Sequence, residues 1–552
     1  MQIPKDSVER RQFYEELVRL CLASRSERFE FYRALRNFYL FGTQDTSGAV
    51  YNKILSTVET LTSFVYAPDA TRFSLNLGAT ADKAIELPKV KPLVQELNDQ
   101  WRMGRSHLTF GVGLVWSLVF GSMILKGLWR RGVFRTYLVE PHQFGVLRED
   151  VPELADQEAF VHCYTTTKTQ LRSDLEHHPR RDAIMEAIHR GVANAPESGA
   201  LEPGVQRLIL AQGISLTQGS GVGGAPEGGL TGMPPIDYNY APTVEAELVD
   251  MLELYVWNDE INDYQMVTMV SPNIVVYDRA QPGVKGIPSF VKLATEATLY
   301  DYFWGASFVA KLSKLQNWRE ERTQEIRKIL AKQADPPFAL AGFAGIADEK
   351  LAALRSAGGI VSTSMPGAKA ESYALQMPPN MFTELDNIDK MFDDQAGIGH
   401  ILQGKGEPGV RSKGQADLMA RLGSARPKSR ALLVEEAAED LATLAMRSIQ
   451  TYSKQKYHAE QNGTVLQFTA GQFTNDFECK VDAHSSSPIF VEDRKNDAVT
   501  LFESKAIDRA ALLDAFDPPG KQMLVANLAK IEAQEREQAQ AQAAAQGQGA
   551  AK

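Results

Sequence analysis

The sequence predicts an α+β, mainly helical chain, and three observations carry that reading. Long stretches space their apolar residues three and four apart, as a helix with one buried face requires. Shorter stretches rich in β-branched and aromatic residues, cut by Pro and Gly, have the texture of strands. The composition is that of a folded protein, with 44% hydrophobic and 23% charged residues among 552, which excludes wholesale disorder and collagen-like repeats. The length suggests several structural units or one elongated subunit.

The first hundred residues read as helical. "YNKILSTVETLTSFVY" places Ile54, Leu55, Val58, Leu61, Thr62 and Val65 on one side, and Pro68 ends the pattern. Leu108 to Leu125 is uncharged and just long enough to cross a bilayer. Its glycines, Gly111, Gly113 and Gly121, and the following "GSMILKGLWRRG" favour a buried helix running into a strand. Strand texture then continues to about residue 170, and a charged helix is expected over 171–191. Residues 195–243 are so rich in Gly, Pro and Ser that they read as a mobile insertion. Strands resume at "AELVDMLELYVWND" and "YQMVTMVSPNIVVYDR".

The centre is the most informative part. "GASFVAKLSKLQNWREERTQEIRKILAKQADPP" carries Phe308, Leu312, Leu315, Ile326 and Ile329 at helical spacing, while Arg319 to Gln324 is almost wholly polar. Asp335, Pro336 and Pro337 stop it. A helix of about thirty residues spans ~45 Å, too long and too polar in its middle to be the core of a small domain, so it is expected to need neighbours. A short α/β segment follows, turning at Gly358 and Gly359. A second amphipathic helix begins after Pro379, with Met381, Leu385, Ile388 and Phe392 on one face. Asp386, Asp389, Asp393 and Asp394 are expected on the opposite, solvated face. The stretch "ILQGKGEPGVRSKG" then leads into a helix expected from about Lys413 to Tyr457, bent or broken at Pro427. Strands, a break at "SSSP", further helices and an Ala/Gln tail without an apolar stripe complete the chain.

Several chemistries find no support. The net charge is −10, from 59 basic and 69 acidic residues, opposite to that of a protein that grips DNA tightly. Cys21, Cys163 and Cys479 form no CxxC pair or disulfide framework, and the charged N-terminus shows no secretory signal. The nine histidines show no HExxH spacing, and His177 and His178 read as a solvated helix end. The glycine-rich insertion lacks the GK[ST] of a phosphate loop, and no GxSxG appears. No catalytic residue, cofactor or metal is expected.

The order of helix, small α/β tip, returning helix, glycine-rich loop and long helix resembles the portal (head-to-tail connector) proteins of tailed bacteriophages, particularly the collar type of short-tailed phages. Further stretches with this resemblance are "WSLVFGSMILKGLWRRG" with "VEPHQFGVL", and "VDAHSSSPIFVEDRKNDAVTLFESKAIDRAALLDAF". The resemblance covers about residues 45 to 530 and rests on order and texture; the glycine-rich insert and Pro427 depart from it.

It implies a portal-like subunit with a wing (1–304, with the insert at about 195–235), a first stem helix (305–334), a clip (335–377) and a second stem helix (378–398). A tunnel loop (399–413), a second wing portion (414–505), a crown (506–534) and a disordered tail (535–552) follow. The implied stem residues are Phe308, Leu312, Leu315, Ile326, Ile329, Leu385, Ile388 and Phe392. The implied tunnel loop carries Gly404, Gly406 and Gly409 for mobility, with Lys405, Arg411 and Lys413 facing DNA. The implied assembly is a homo-oligomeric ring of about twelve subunits at one capsid vertex of the virion, assembled in the host cytoplasm. Its implied partners are the terminase large subunit and a tail adaptor docked at the clip, the major capsid and scaffolding proteins, and double-stranded DNA passing through without sequence specificity. No membrane is implied. The alternatives are a membrane-associated oligomeric scaffold, resting on residues 108 to 125, and a nucleotide-driven enzyme, resting on the glycine insertion.

Overall fold

The computed structural model describes residues 1–186, 248–341, 369–372, 377–398, 425–481 and 498–516, apart from the short gaps 24, 46–47, 177, 271–273, 297–301, 335–337, 462–463 and 505, and isolated positions from 524 to 530. The glycine-rich insertion, most of the expected clip, the expected tunnel loop and the tail lie outside the described residues.

The helical spacing of the N-terminal region gives α1 (Ser7–Cys21), α2 (Arg25–Phe41) and α3 (Lys53–Val65). Asp6 caps α1 by accepting from the N–H groups of Val8 and Glu9, and Asn52 caps α3 by accepting from Leu55 N–H at 3.1 Å. The region is not helical throughout. Strand β1 (Phe73–Leu77) precedes α4 (Lys83–Met103) and pairs in antiparallel fashion with a strand from the far end of the chain. Its alternation, with Phe73 and Leu75 buried, is the period of a half-buried strand.

The uncharged stretch at 108–125 divides as its glycines suggest. Helix α5 (Ser106–Phe120) ends at Gly121, which has φ 93°, and β2 (Ser122–Arg130) begins at once. A Cβ at Gly121 would lie 2.2 Å from the carbonyl oxygen of Gly305, so only glycine fits there. Phe110, Leu114 and Leu118 of α5 are buried inside the protein. No described helix is long and apolar enough to cross a membrane, so the membrane-scaffold alternative loses the segment on which it rested.

Strand β2 pairs on one side with β3 (Val133–Val139) and on the other with β9 (Phe290–Ala294). A second, five-stranded antiparallel sheet has the order β4 (Phe144–Val146), β5 (Ala159–Thr167), β6 (Leu248–Asn258), β7 (Asp263–Val270) and β8 (Ile274–Ala280). An aromatic cluster, stacked within the five-stranded sheet and met tilted or edge-on from the other, holds the two sheets together. Phe160 lies 5.4 Å from Phe144 and 4.9 Å from Tyr255, and Phe290 of β9 meets Phe144, Phe160 and Tyr255. After β5 comes a short helix, α6 (Lys168–Asp174), then a turn and a further helical piece at 181–186, rather than one charged helix. His178 is not a solvated end: its Nε2 lies 3.0 Å from the Val276 carbonyl oxygen and its ring meets Tyr277 edge-on.

The remaining elements are α7 (Phe308–Ala334), β10 (Phe338–Ala341), β11 (Lys369–Ser372), α8 (Asn380–Ala396), α9 (Ala425–Tyr452), β12 (Lys456–Gln461), β13 (Thr464–Thr469), β14 (Phe477–Val481) and α10 (Arg509–Phe516). Helix α9 runs through the middle of the molecule against α3, α4, β2, β9 and β14. Ala431, Ala437, Ala438, Ala442 and Ala445 are all buried on it, and such small side chains let neighbouring backbones approach closely. It ends at Tyr452, not Tyr457. Beyond it, buried Tyr457 and Ala459 alternate with exposed Lys456 and His458, a strand pattern that pairs with β13. Pro427 is the third residue of the described helix, so no kink interrupts α9 over the described residues.

One polar tie joins the two sheets inside this apolar setting. Lys126 Nζ of β2 reaches Glu253 Oε2 of β6 at 2.5 Å and lies 3.4 Å from His162 Nδ1 of β5, while the Tyr255 hydroxyl donates to the same carboxylate oxygen at 3.1 Å. Burial would raise the Glu253 carboxyl, but Lys126 and His162 outweigh that and hold it well below the usual carboxylate range. The stability this contributes is fully present above the ordinary carboxylate pKa and is lost as pH falls through the depressed folded value. Glu253→Gln should therefore cost about 3 kcal/mol at pH 7 by leaving Lys126 without its countercharge. Urea unfolding at pH 7 and in acid checks this: the gap between wild type and variant should narrow in acid, and an equal gap at both would contradict the linkage.

Candidate functional site: the helical hairpin and its base

Helices α7 and α8 form an antiparallel pair, as their cross-links show. Arg319 Nε donates to Asp389 Oδ1 at 2.9 Å and Arg322 Nε to Glu384 Oε1 at 2.8 Å, so rising numbers on one helix meet falling numbers on the other. The sequences favour that pairing, since α7 carries seven basic and three acidic residues while α8 carries five acidic and one basic. Beyond the end of α7, β10 and β11 pair antiparallel with Phe338 opposite Ser372 and Ala341 opposite Lys369. The hairpin is thus two oppositely charged helices with a two-stranded link at the far end.

Two polar side chains of α7 are buried within the chain itself. Gln316 is fully buried and Glu320 is only 6% exposed. Gln316 Nε2 donates to the Tyr51 carbonyl at 2.9 Å, and its Oε1 accepts from the Lys53 N–H at 3.2 Å. Glu320 Oε2 accepts from the Val50 N–H at 3.0 Å, and the Arg319 guanidinium sits 4.6 Å above the Tyr51 ring. The segment entering α3 thereby satisfies Gln316 and Glu320, while Glu321 and Gln324 of the polar stretch are exposed. The backbone of residues 50–53, where the chain enters α3, has donors and acceptors with no helical partners, and α7 presents side chains that fit them.

The carboxylates of α8 also depart from expectation. Asp393 is 7% exposed, not solvated, and pairs with Lys53 Nζ at 2.9 Å. The same ammonium donates to the Asp389 carbonyl at 2.8 Å, lies 3.3 Å from Asp389 Oδ1 and sits 5.1 Å from the Phe392 ring. The physical reason is reach: the Lys53 side chain extends from the start of α3 into the groove between α7 and α8 and draws two carboxylates inward. Asp386 and Asp394 are exposed.

Of the predicted stem residues, Phe308, Leu312, Ile326, Ile388 and Phe392 are buried, while Leu315, Ile329 and Leu385 are half-buried. Phe308, Leu312 and Phe392 join the main core with α3, α5 and α9, and Leu315 packs against it. Leu330 and Phe382 toward the far end, and Met391 beside the Lys53 clasp, are 48%, 53% and 50% exposed, so the hairpin displays large apolar side chains outside the core.

At the base of the hairpin Glu296, 8% exposed, accepts from Arg430 Nη2 at 2.5 Å and Nε at 3.0 Å and also pairs with Lys311. Arg430 Nη1 donates to the Ala396 carbonyl at 3.2 Å, and Arg426 Nη1 to the Asp394 carbonyl at 2.8 Å. Two cations from the start of α9 thus cap the C-terminal carbonyls of α8, where the helix dipole favours positive charge. Burial, reinforced by Arg426, lowers the Arg430 guanidinium to about 10, still charged at neutral pH. Gly397, at φ 73°, turns the chain out of α8. The departure at 398 and the return at 425 are therefore both anchored. Gly404, Lys405, Gly406, Gly409, Arg411 and Lys413 lie between them, outside the described residues.

The sequence reading missed Lys53, Gln316 and Glu296. A Lys following a helix-capping Asn, and a Gln on an otherwise apolar helix face, are the only local signals they offer. Among the described residues no group of three metal-ligating side chains occurs.

No protein-family model matches the chain, and no curated protein matches it. Among solved structures, a chain of the virion of a native gene transfer agent particle is 9% identical with a TM-score of 0.40, covering 92% of this chain and 93% of that one. A chain of the neck of an empty gene transfer agent particle, computed with C6 symmetry, is 9% identical with a TM-score of 0.41, covering 84% of this chain and 90% of that one.

The packing of Gln316 is directly testable. Gln316→Leu keeps the volume but strands the Lys53 N–H and the Tyr51 carbonyl, and should cost about 2 kcal/mol. Thermal and urea unfolding check it, and a loss below about 0.5 kcal/mol would show that the segment at 50–53 does not depend on this side chain.

Proposed function

We propose that this chain is a portal subunit: it assembles into a closed ring of about twelve copies at one capsid vertex, through which a phage-like genome is packaged and ejected. The observation that carries the reading is the α7–α8 hairpin. It is anchored to the core at its base, carries a strand pair at its far end, and exposes Leu330, Phe382 and Met391 along its length. Such apolar side chains on a projecting hairpin call for a covering surface, and identical neighbours around a closed ring provide one without leaving an open end. In this reading the terminase large subunit and a tail adaptor dock at the link between the two helices. The capsid and scaffolding proteins contact the outer regions, and the loop between α8 and α9 faces DNA. The role is structural, with no catalytic residue and no cofactor.

Negative-stain images of the purified protein, with native mass spectrometry of the same sample, test this reading. Annular particles with a central hole, and one discrete mass near a twelve-fold multiple of 61.0 kDa, are expected. Monomers alone across a range of salt and concentration would overturn it.

A further inference from the structure

Between the two sheets lies a cavity of about 220 Å³. The register of the five-stranded sheet shows which of its faces lines it. Thr268 lies opposite both Glu253 and Tyr277, and Met266 lies opposite both Tyr255 and Arg279, so these side chains share one face. The alternate residues Leu254, Val256 and Val267 pack against α1 on the other face. Leu128 of β2 and Ser289, just before β9, line the cavity from the second sheet, and Leu171 and Leu175 line it from α6 and its end.

Three donors on this wall have no partner within the protein. Thr268 and Ser289, 6% and 5% exposed, both line the cavity, and among the described residues neither hydroxyl has a hydrogen-bond partner. A hydroxyl buried in that way costs free energy until something bonds to it. Arg279 also lines the cavity and is exposed, with its guanidinium 4.5 Å over the Tyr277 ring and no carboxylate partner among the described residues. The remaining charges on the wall are engaged: Lys126 with Glu253, and Asp174 by accepting from Gln170 Nε2 at 2.8 Å. Much of the rest is apolar, including Met251, Met266, Leu171 and Leu175. Water alone suits such a wall poorly, since an ordered water needs about two to four polar partners and the apolar part offers none.

We infer that this cavity is a binding site for a small organic acid with an apolar body, its carboxylate held by Thr268 and Arg279 and its body lodged among Met251, Met266, Leu171 and Leu175. Thr268 and Arg279 are diagonal neighbours across β7 and β8, a separation of about 7 Å between Cα atoms, so one carboxylate can accept from both side chains. The planar guanidinium fork matches a carboxylate in shape as well as charge. The volume sets the size: a cavity of about 150 Å³ takes a benzene ring, so this one takes about ten heavy atoms, too few for a peptide segment. An amine of the same size finds only Asp174, which already has a donor. A ligand here touches both sheets and α6, and the inference does not require ring assembly.

Saturation-transfer NMR of phenylacetate with the full chain tests this, with thermal unfolding of each variant as the check on folding. The wild type should bind saturably with a Kd of about 1 mM or tighter, and phenylethylamine, the same ring with an amine tail, should bind at least about fivefold more weakly. Arg279→Met should weaken phenylacetate by about fivefold or more, while Arg135→Met, which removes an exposed arginine on β3, stays within about twofold of wild type. Thr268→Val keeps the shape and removes the hydroxyl. It should weaken binding by about threefold or more without lowering the melting temperature of the free chain, because the hydroxyl has no partner there to lose. Leu128→Trp fills the cavity from its wall and should abolish binding; should it fail to fold, the Arg279 and Thr268 variants decide the matter. The inference is overturned if the wild type shows no saturable binding below about 10 mM, if the amine binds as tightly as the acid, or if Arg279→Met and Thr268→Val bind like wild type.

Discussion

Gln316 and Glu320 sit inside the protein one turn apart, on the face of α7 that also buries Leu312, and the structure depends on how they are satisfied. A buried amide or carboxylate without partners costs free energy comparable to several apolar contacts, so α7 can lie where it does only if another segment brings matching groups. The backbone of residues 50–53 supplies them, and Lys53 continues the link into α8 through Asp389 and Asp393. One short segment therefore holds both helices of the hairpin against the start of α3.

That clasp has a second consequence. With Gln316 and Glu320 of α7 satisfied by their own chain, the exposed apolar side chains of the hairpin are Leu330 and Phe382 toward its far end and Met391 beside the clasp. At the near end, Glu296 gathers Arg430 and Lys311, while Arg426 and Arg430 cap α8. The base is fixed by buried charges and the far part is left with apolar surface, a division suited to a projection that meets partners away from its root.

Much of the fold was legible in the sequence because periodicity reports burial. The spacing of Phe308, Leu312 and Ile326 marked α7, that of Ile388 and Phe392 marked α8, and the β-branched runs marked the five-stranded sheet. What was not legible concerns pairings distant in sequence. Strand β1 is short and its partner lies some four hundred residues away. Asp393 reads as solvated on any helical wheel, because nothing local reveals that Lys53 reaches it from another helix. The extension of α9 to Tyr457 failed for a local reason: a two-residue alternation follows the last helical turn, and it was absorbed into the helix pattern. The loop residues from Gly404 to Lys413 lie outside the described residues, and their proposed role rests on the anchored ends of the segment that contains them.

The central claim is that the start of α3 and the hairpin are energetically one unit, joined by a buried charge pair. A double-mutant cycle on Lys53 and Asp393, with Lys53→Met, Asp393→Asn and the combination compared by urea unfolding, measures that directly. The account predicts single losses of about 3 kcal/mol and a coupling of about 2 kcal/mol or more, since each single variant leaves the other group buried without its partner. Additive losses with a coupling below about 0.5 kcal/mol would mean that the two groups are neighbours without being partners, and would contradict it.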